Sequence, residues 1–254
     1  YDRAFRCALT SASSTLANLI PPSLGLIIYA ALASVSVGAL FVATIIPGLL
    51  CSLALIIVVY ITSRTKGFGG QIQAATARER WHALIAALPA LALPLLIVGG
   101  VRFGIFTATE AGAVALLYAF LCGALIYRCL TGRNIYETLR ESTFDTVAIV
   151  VIIAAASPFA WVLAAEQVPQ KIAAAMSTYV DSPITLLLMI NGFLLIVGLF
   201  MEMIAAMVIL VPILVPLAIS AGVDTVQFGI IIVLNLVIGA LTPPMGVLVF
   251  TTAR

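Results

Sequence analysis

Charge is what this chain has least of. Only 9% of its 254 residues are Asp, Glu, Lys or Arg while 63% are hydrophobic, and the mean hydropathy is +1.24. Soluble domains carry about a quarter charged residues, so this composition excludes one and makes lipid the solvent. Histidine occurs once, as His82 beside Trp81, a pairing whose ordinary role is anchoring at a membrane interface. One histidine gives a metal site or proton relay no foundation. The four cysteines, Cys7, Cys51, Cys122 and Cys129, show no CxxC spacing and read as packed thiols rather than disulfides or ligands. A net charge of +2 spread over loops argues against a nucleic-acid partner. Glycine-rich phosphate loops, HExxH and GxSxG are all missing, so the reading is no enzyme, no catalytic residue and no organic cofactor.

What is present is apolar length. Runs at roughly 7–33, 37–62, 83–101, 109–127, 146–165, 184–220 and 227–251 can each cross a hydrocarbon core of about 30 Å. The stretch 184–220 is too long for one crossing and is expected to fold back, as a hairpin or as two crossings. Alternating the spans from a cytoplasmic first loop places Arg3, Arg6, Arg64, Lys66, Arg78, Arg80, Arg128, Arg133, Arg140 and Arg254 inside, with only Arg102 and Lys171 outside. That is a strong positive-inside bias.

Helix starts are legible as capping chemistry: Asn134 with Glu137, Asp224 with Gln227, Thr107 with Glu110, and Ser182 before Pro183. Residues 134–145 alternate charged and apolar side chains, which predicts a helix lying along the cytoplasmic interface. The Thr107/Glu110 box predicts that Glu110 opens the next helix while Arg102 neutralises the loop.

Two double prolines interrupt apolar runs, at Pro21-Pro22 and Pro243-Pro244. Each removes two N–H donors and must break its helix, freeing carbonyls at membrane depth, which is tolerable only against protein or a polar cavity. By alternation the first broken helix runs outward and the second inward. Discontinuous helices in corresponding positions of two inverted halves point to a transporter's ion and substrate site. The candidate lining is Ser13, Ser14, Asn18, Ile20, Pro21, Pro22, Ser23, Asn235, Gly239, Thr242, Pro243, Pro244 and Gly246, oxygen-rich and nearly neutral, which suits a hard monovalent cation such as sodium. A third candidate is Glu202, inside Gly198–Ala206 with Ala205. An acidic residue deep in an apolar run marks either a functional group or the hydrogen-bonded tip of a re-entrant hairpin.

The blocks Ile20–Tyr29, Leu40–Gly48, Gly99–Gly112 and Gly239–Gly246 resemble the large membrane subunit, DctM type, of tripartite ATP-independent periplasmic (TRAP) transporters, in order and over essentially the whole chain. The resemblance implies an all-α, ion-transporter-superfamily fold of the elevator type, with residues 1–36 and 166–254 in the transport domain and 37–165 as scaffold and arm helices. It implies sodium-coupled import of organic acids, dicarboxylates or sialic-acid-like, across the bacterial inner membrane. The expected partners are the lipid bilayer, a small four-helix membrane subunit and a periplasmic substrate-binding protein. It also implies unwound helix centres at Ile20–Ser23 and Thr242–Gly246 and a hairpin tip at Gly198–Ala206. Ala108 stands where the family usually has proline. The family's first hairpin would precede Tyr1, so the sequence reads as a piece of a longer chain. The rival readings are a symporter of the same superfamily that needs no binding protein, and a non-transporting membrane scaffold or intramembrane enzyme.

Overall fold

The computed structural model describes residues 3–67, 75–168, 171 and 183–242, and among these the regular structure is entirely helical. The first apolar run forms α1 (Arg3–Ser14), α2 (Leu16–Leu19) and α3 (Leu24–Ala33). A bend of 40° separates the α1–α2 stretch from α3, at the first double proline. The second run is α4 (Val37–Ala43) followed by α5 (Ile45–Thr65). The two meet at Thr44, which is fully buried and donates its hydroxyl to the carbonyls of Leu40 and Phe41.

Next come α6 (Ala77–Arg102), α7 (Ala108–Leu121) with a π-helical turn at Cys122–Ile126, and α8 (Gly132–Ala165). The long run 184–220 folds back as expected, giving α9 (Pro183–Phe200) and α10 (Met203–Ser220), each about 27 Å long at ~1.5 Å per residue. The last described helix is α11 (Thr225–Leu241). Six of these stretches are long and apolar enough to cross a membrane, and the bent first pair makes a seventh.

Two boundaries differ from the sequence expectation. Residues 134–145 are not a separate interfacial helix but the first third of α8, an unbroken 34-residue helix. No Gly or Pro stands between Arg133 and Ser157, so nothing interrupts the hydrogen-bond ladder where the composition changes from charged to apolar. The cap of α8 is also not Asn134. Thr131 accepts from the Asn134 N–H (3.3 Å) and its carbonyl from Ile135 N–H (3.0 Å), while Glu137 pairs with Arg133 at 2.7 Å. A threonine three residues upstream had already supplied the acceptor oxygen.

The core lies where α3, α4, α9, α10 and α11 meet, around Leu26, Tyr29, Leu40, Phe41, Leu194, Met207, Val211, Phe228, Ile232 and Leu236. Against it, α5 to α8 present long rows of exposed Leu, Ile, Val and aromatic side chains, the surface that hydrocarbon tails can cover.

Candidate functional site

The site builds up from three local events. At the first break, Pro21 and Pro22 cannot donate to the carbonyls of Ala17 and Asn18 one turn earlier. Ser23 repairs one of these losses: its hydroxyl donates to the Asn18 carbonyl and its oxygen accepts from Leu26 N–H (3.4 Å), so it closes the break and caps α3 together. Ser23 is 2% exposed, and the Pro21–Pro22 peptide is cis. Ile20 packs on Gly48 of α5, where a Cβ would stand 2.9 Å from its Cγ1. The glycine therefore admits the break to the helix surface.

At the fold-back, Glu202 is the N-cap of α10. Its carboxylate accepts from the N–H groups of Ile204 (2.8 Å) and Ala205 (3.1 Å), an anion set at the positive end of a helix. At the last described helix, Asp224 caps the start of α11 by accepting from Val226 and Gln227 (2.9 Å each). The helix ends at Leu241, and Thr242 turns extended while donating its hydroxyl to the Ile238 carbonyl (3.0 Å). The residue before a proline is pushed out of the helical region, so α11 stops where the second double proline predicts. Pro243, Pro244 and Gly246 lie outside the described residues.

These three places meet. A Cβ on Gly25, two residues past Ser23, would stand 2.9 Å from Cε of Met203, next to Glu202. Gly198 and Gly239 touch main chain to main chain: a Cβ on either would lie 2.9 or 2.6 Å from the other's Cα. The start of α3 and the end of α9 therefore both reach the tip at Met201–Met203, with α11 alongside. The directions are also fixed. Tyr29 donates its hydroxyl to the Thr225 carbonyl (2.7 Å) and lies on Gly229, whereas Leu19 shares a cavity of about 250 Å³ with Val233, Val237 and Leu241. Ascending the first broken helix descends α11, so the two are antiparallel.

Other candidates are placed differently. Ser13 and Ser14 spend their hydroxyls within α1, on the carbonyls of Thr10 (3.0 Å) and Ser11 (2.7 Å). Asn235 lies about 9 Å before the end of α11 at ~1.5 Å per residue and donates to the side-chain oxygen of Asn191 and to the Ile231 carbonyl (2.7 Å). Asn191, absent from the sequence candidates, in turn donates to the Leu187 carbonyl (2.7 Å). A lone amide in an apolar run was the only signal for it. The Thr107/Glu110 box is complete in both directions, Glu110 accepting from Thr107 N–H at 2.7 Å, and Arg102 ends α6 exposed. A second complete box, Thr76 with Glu79, starts α6; it is absent from the sequence candidates, and its S/T-x-x-E spacing was the signal for it.

Among the described residues no three His, Cys, Asp or Glu side chains gather as a metal site. An all-helical chain whose long apolar helices outnumber those any soluble fold would expose is a multi-pass integral membrane protein. Its sequence matches, over residues 1–254, the family model described as the tripartite ATP-independent periplasmic transporter, DctM component. The chain belongs to this DctM family and is a multi-pass protein of the bacterial inner membrane. It is 41% identical over 254 residues to the sialic acid TRAP transporter large permease protein SiaM of Vibrio cholerae, with all of this chain and 59% of that protein covered. It is also 41% identical over 253 residues to the C4-dicarboxylate TRAP transporter large permease protein DctM of Pseudomonas aeruginosa, at the same coverage of each. A third relative, the isethionate TRAP transporter permease protein DctMQ of Oleidesulfovibrio alaskensis, is 39% identical over 253 residues, with 40% of it covered. The chain thus spans about 59% of the length of its large-permease relatives.

Proposed function

We propose that this chain is the larger part of the permease subunit of a sodium-coupled secondary transporter. It would import an organic acid handed over by a periplasmic binding protein, with a small membrane subunit as its standing partner. The observation that carries this reading is the meeting of the first break, the Glu202 tip and α11, antiparallel to the first broken helix, in one place. Broken helices of opposite direction offer carbonyls to a cation and helix starts to an anion. Glu202 already supplies the anion at the start of α10. The start of α3, capped by the neutral Ser23 rather than by a carboxylate, is then the positive end left to a substrate carboxylate. Sodium entering among the carbonyls freed by Pro21 and Pro22 would order the tip, and the transport domain would carry ion and substrate across together.

The relatives carry names for sialic acid, C4-dicarboxylates and isethionate, all small organic anions, and these form the panel to try. The experiment is uptake into proteoliposomes holding the full-length permease and its small subunit, with the binding protein outside. Uptake of one panel member that follows an inward sodium gradient, and vanishes when the binding protein is omitted, is the expected result. Uptake unchanged with potassium replacing sodium would end the coupling proposal. Uptake without any binding protein would favour the self-sufficient symporter.

A further inference from the structure

Asn191 and Asn235 form a side-chain-to-side-chain hydrogen bond that joins two separate helices. It ties α9, the first arm of the fold-back, to α11, and both amides also bond their own helices one turn back, at Leu187 and Ile231. About two turns further along α9 the same pair of helices touches again at Gly198 and Gly239. The two contacts differ in kind. Glycine against glycine is a close, non-directional van der Waals contact. An amide pair is directional and holds one rotation and one register.

We propose that Asn191, acting through Asn235, is a positioning residue: it sets the register of α9 on α11 and thereby holds the Met201–Met203 tip against Gly25 at the first break. Asn235 serves the site at second hand rather than by touching a bound ion, being seven residues short of Thr242. Asn191 bonds from a half-buried position and Asn235 is 7% exposed, so water competes little for either amide. The arm is therefore held at two points, and removing the directional one leaves the glycine contact alone to hold it. This inference rests on the reading of the tip as part of the transport site.

The test follows the tip itself. In the complete permease complex, Cys7, Cys51 and Cys129 are replaced by Ser, Cys122 is kept as a buried reference, and Met201→Cys reports the tip through its rate of reaction with N-ethylmaleimide. Asn191→Leu and Asn235→Leu each strand one amide of the pair, and each should lower the Tm by several degrees. The double variant removes both polar groups and should regain most of that loss. Labelling at residue 201 should rise about ten-fold in each single variant and stay raised in the double, with Cys122 unchanged. A purely structural role predicts instead that the tip is protected again when the double variant regains its Tm, and that result overturns the proposal. So does an unchanged rate in the single variants, or a rise at Cys122 in step with residue 201. If sodium fails to slow labelling of residue 201 where both asparagines are intact, the ion-site reading falls, while the variants still judge the register.

Discussion

The helices α6 and α10 are about equally apolar, yet 50% of the apolar stretch of α10 is buried within the chain and only 6% of that of α6. In water such a difference would be written in hydropathy. In lipid it is not, because a leucine facing an acyl chain is as well solvated as one facing another helix. What separates the two regions is fine structure. Glycine lets main chains touch at Gly198–Gly239 and seats Tyr29 on Gly229, and single polar ties at Tyr29–Thr225 and Asn191–Asn235 fix orientation. The outer helices α6 and α7 are also tied, Tyr118 and Tyr127 donating to the Pro89 and Ala86 carbonyls (2.8 and 3.4 Å), but among the described residues no pair of glycines there touches main chain to main chain.

The comparison can be broken at several points. The largest effect is expected for Gly239→Leu, whose side chain would begin 2.6 Å from the Gly198 Cα. Neither main chain can yield cheaply, so folded complex should be lost, or its stability lowered by about 3 kcal/mol or more. Gly112→Leu on α7, where a Cβ meets nothing within 4 Å, should be neutral or slightly stabilising. Size-exclusion yield and Tm of the two variants, measured side by side, decide it, and equal losses would erase the distinction between the regions.

Next in size, Leu236→Ala at a fully buried position should cost about 2–5 kcal/mol. Leu95→Ala, at a position 74% exposed, should change thermal stability by less than about 0.5 kcal/mol. Smaller again is the contrast of two serine caps. Ser23→Ala strands the Asn18 carbonyl in a buried break and should cost about 1–3 kcal/mol, while Ser36→Ala, at an exposed cap of α4, should cost about 0.5–1 kcal/mol. If both cost the same, Ser23 does nothing beyond capping. The smallest effect belongs to Glu137→Gln. The exposed Arg133–Glu137 pair should be worth about 0.5 kcal/mol or less, and the difference should fade in high salt.

Much of this architecture could be read from the chain beforehand, and the reasons are physical. Proline chemistry is local, so the break after Leu19 and the helix end at Leu241 were legible, and so was the fold-back, because 37 apolar residues exceed any bilayer and Glu202 marked where they turn. The boundary of α8 was not, since a change in composition without Gly or Pro leaves the backbone ladder intact. Asn235 was legible as important but not as what it is. Its partner Asn191 lies 44 residues away in sequence, and pairing across helices leaves no local periodic signature. Asn134 was overruled by Thr131, which accepts from Asn134's own N–H and so starts the helix a turn earlier.

The central claim is that the first break and the hairpin tip face one another. It is tested most directly by Gly25→Cys with Met203→Cys in the complete permease complex, freed of its other cysteines. The second substitution removes the side chain that would crowd the first. Mild oxidation should join the two as an intramolecular disulfide and stop uptake until it is reduced, whereas Gly25→Cys with Leu95→Cys should not cross-link. No disulfide in the first pair, or equal yield in the second, would contradict the account.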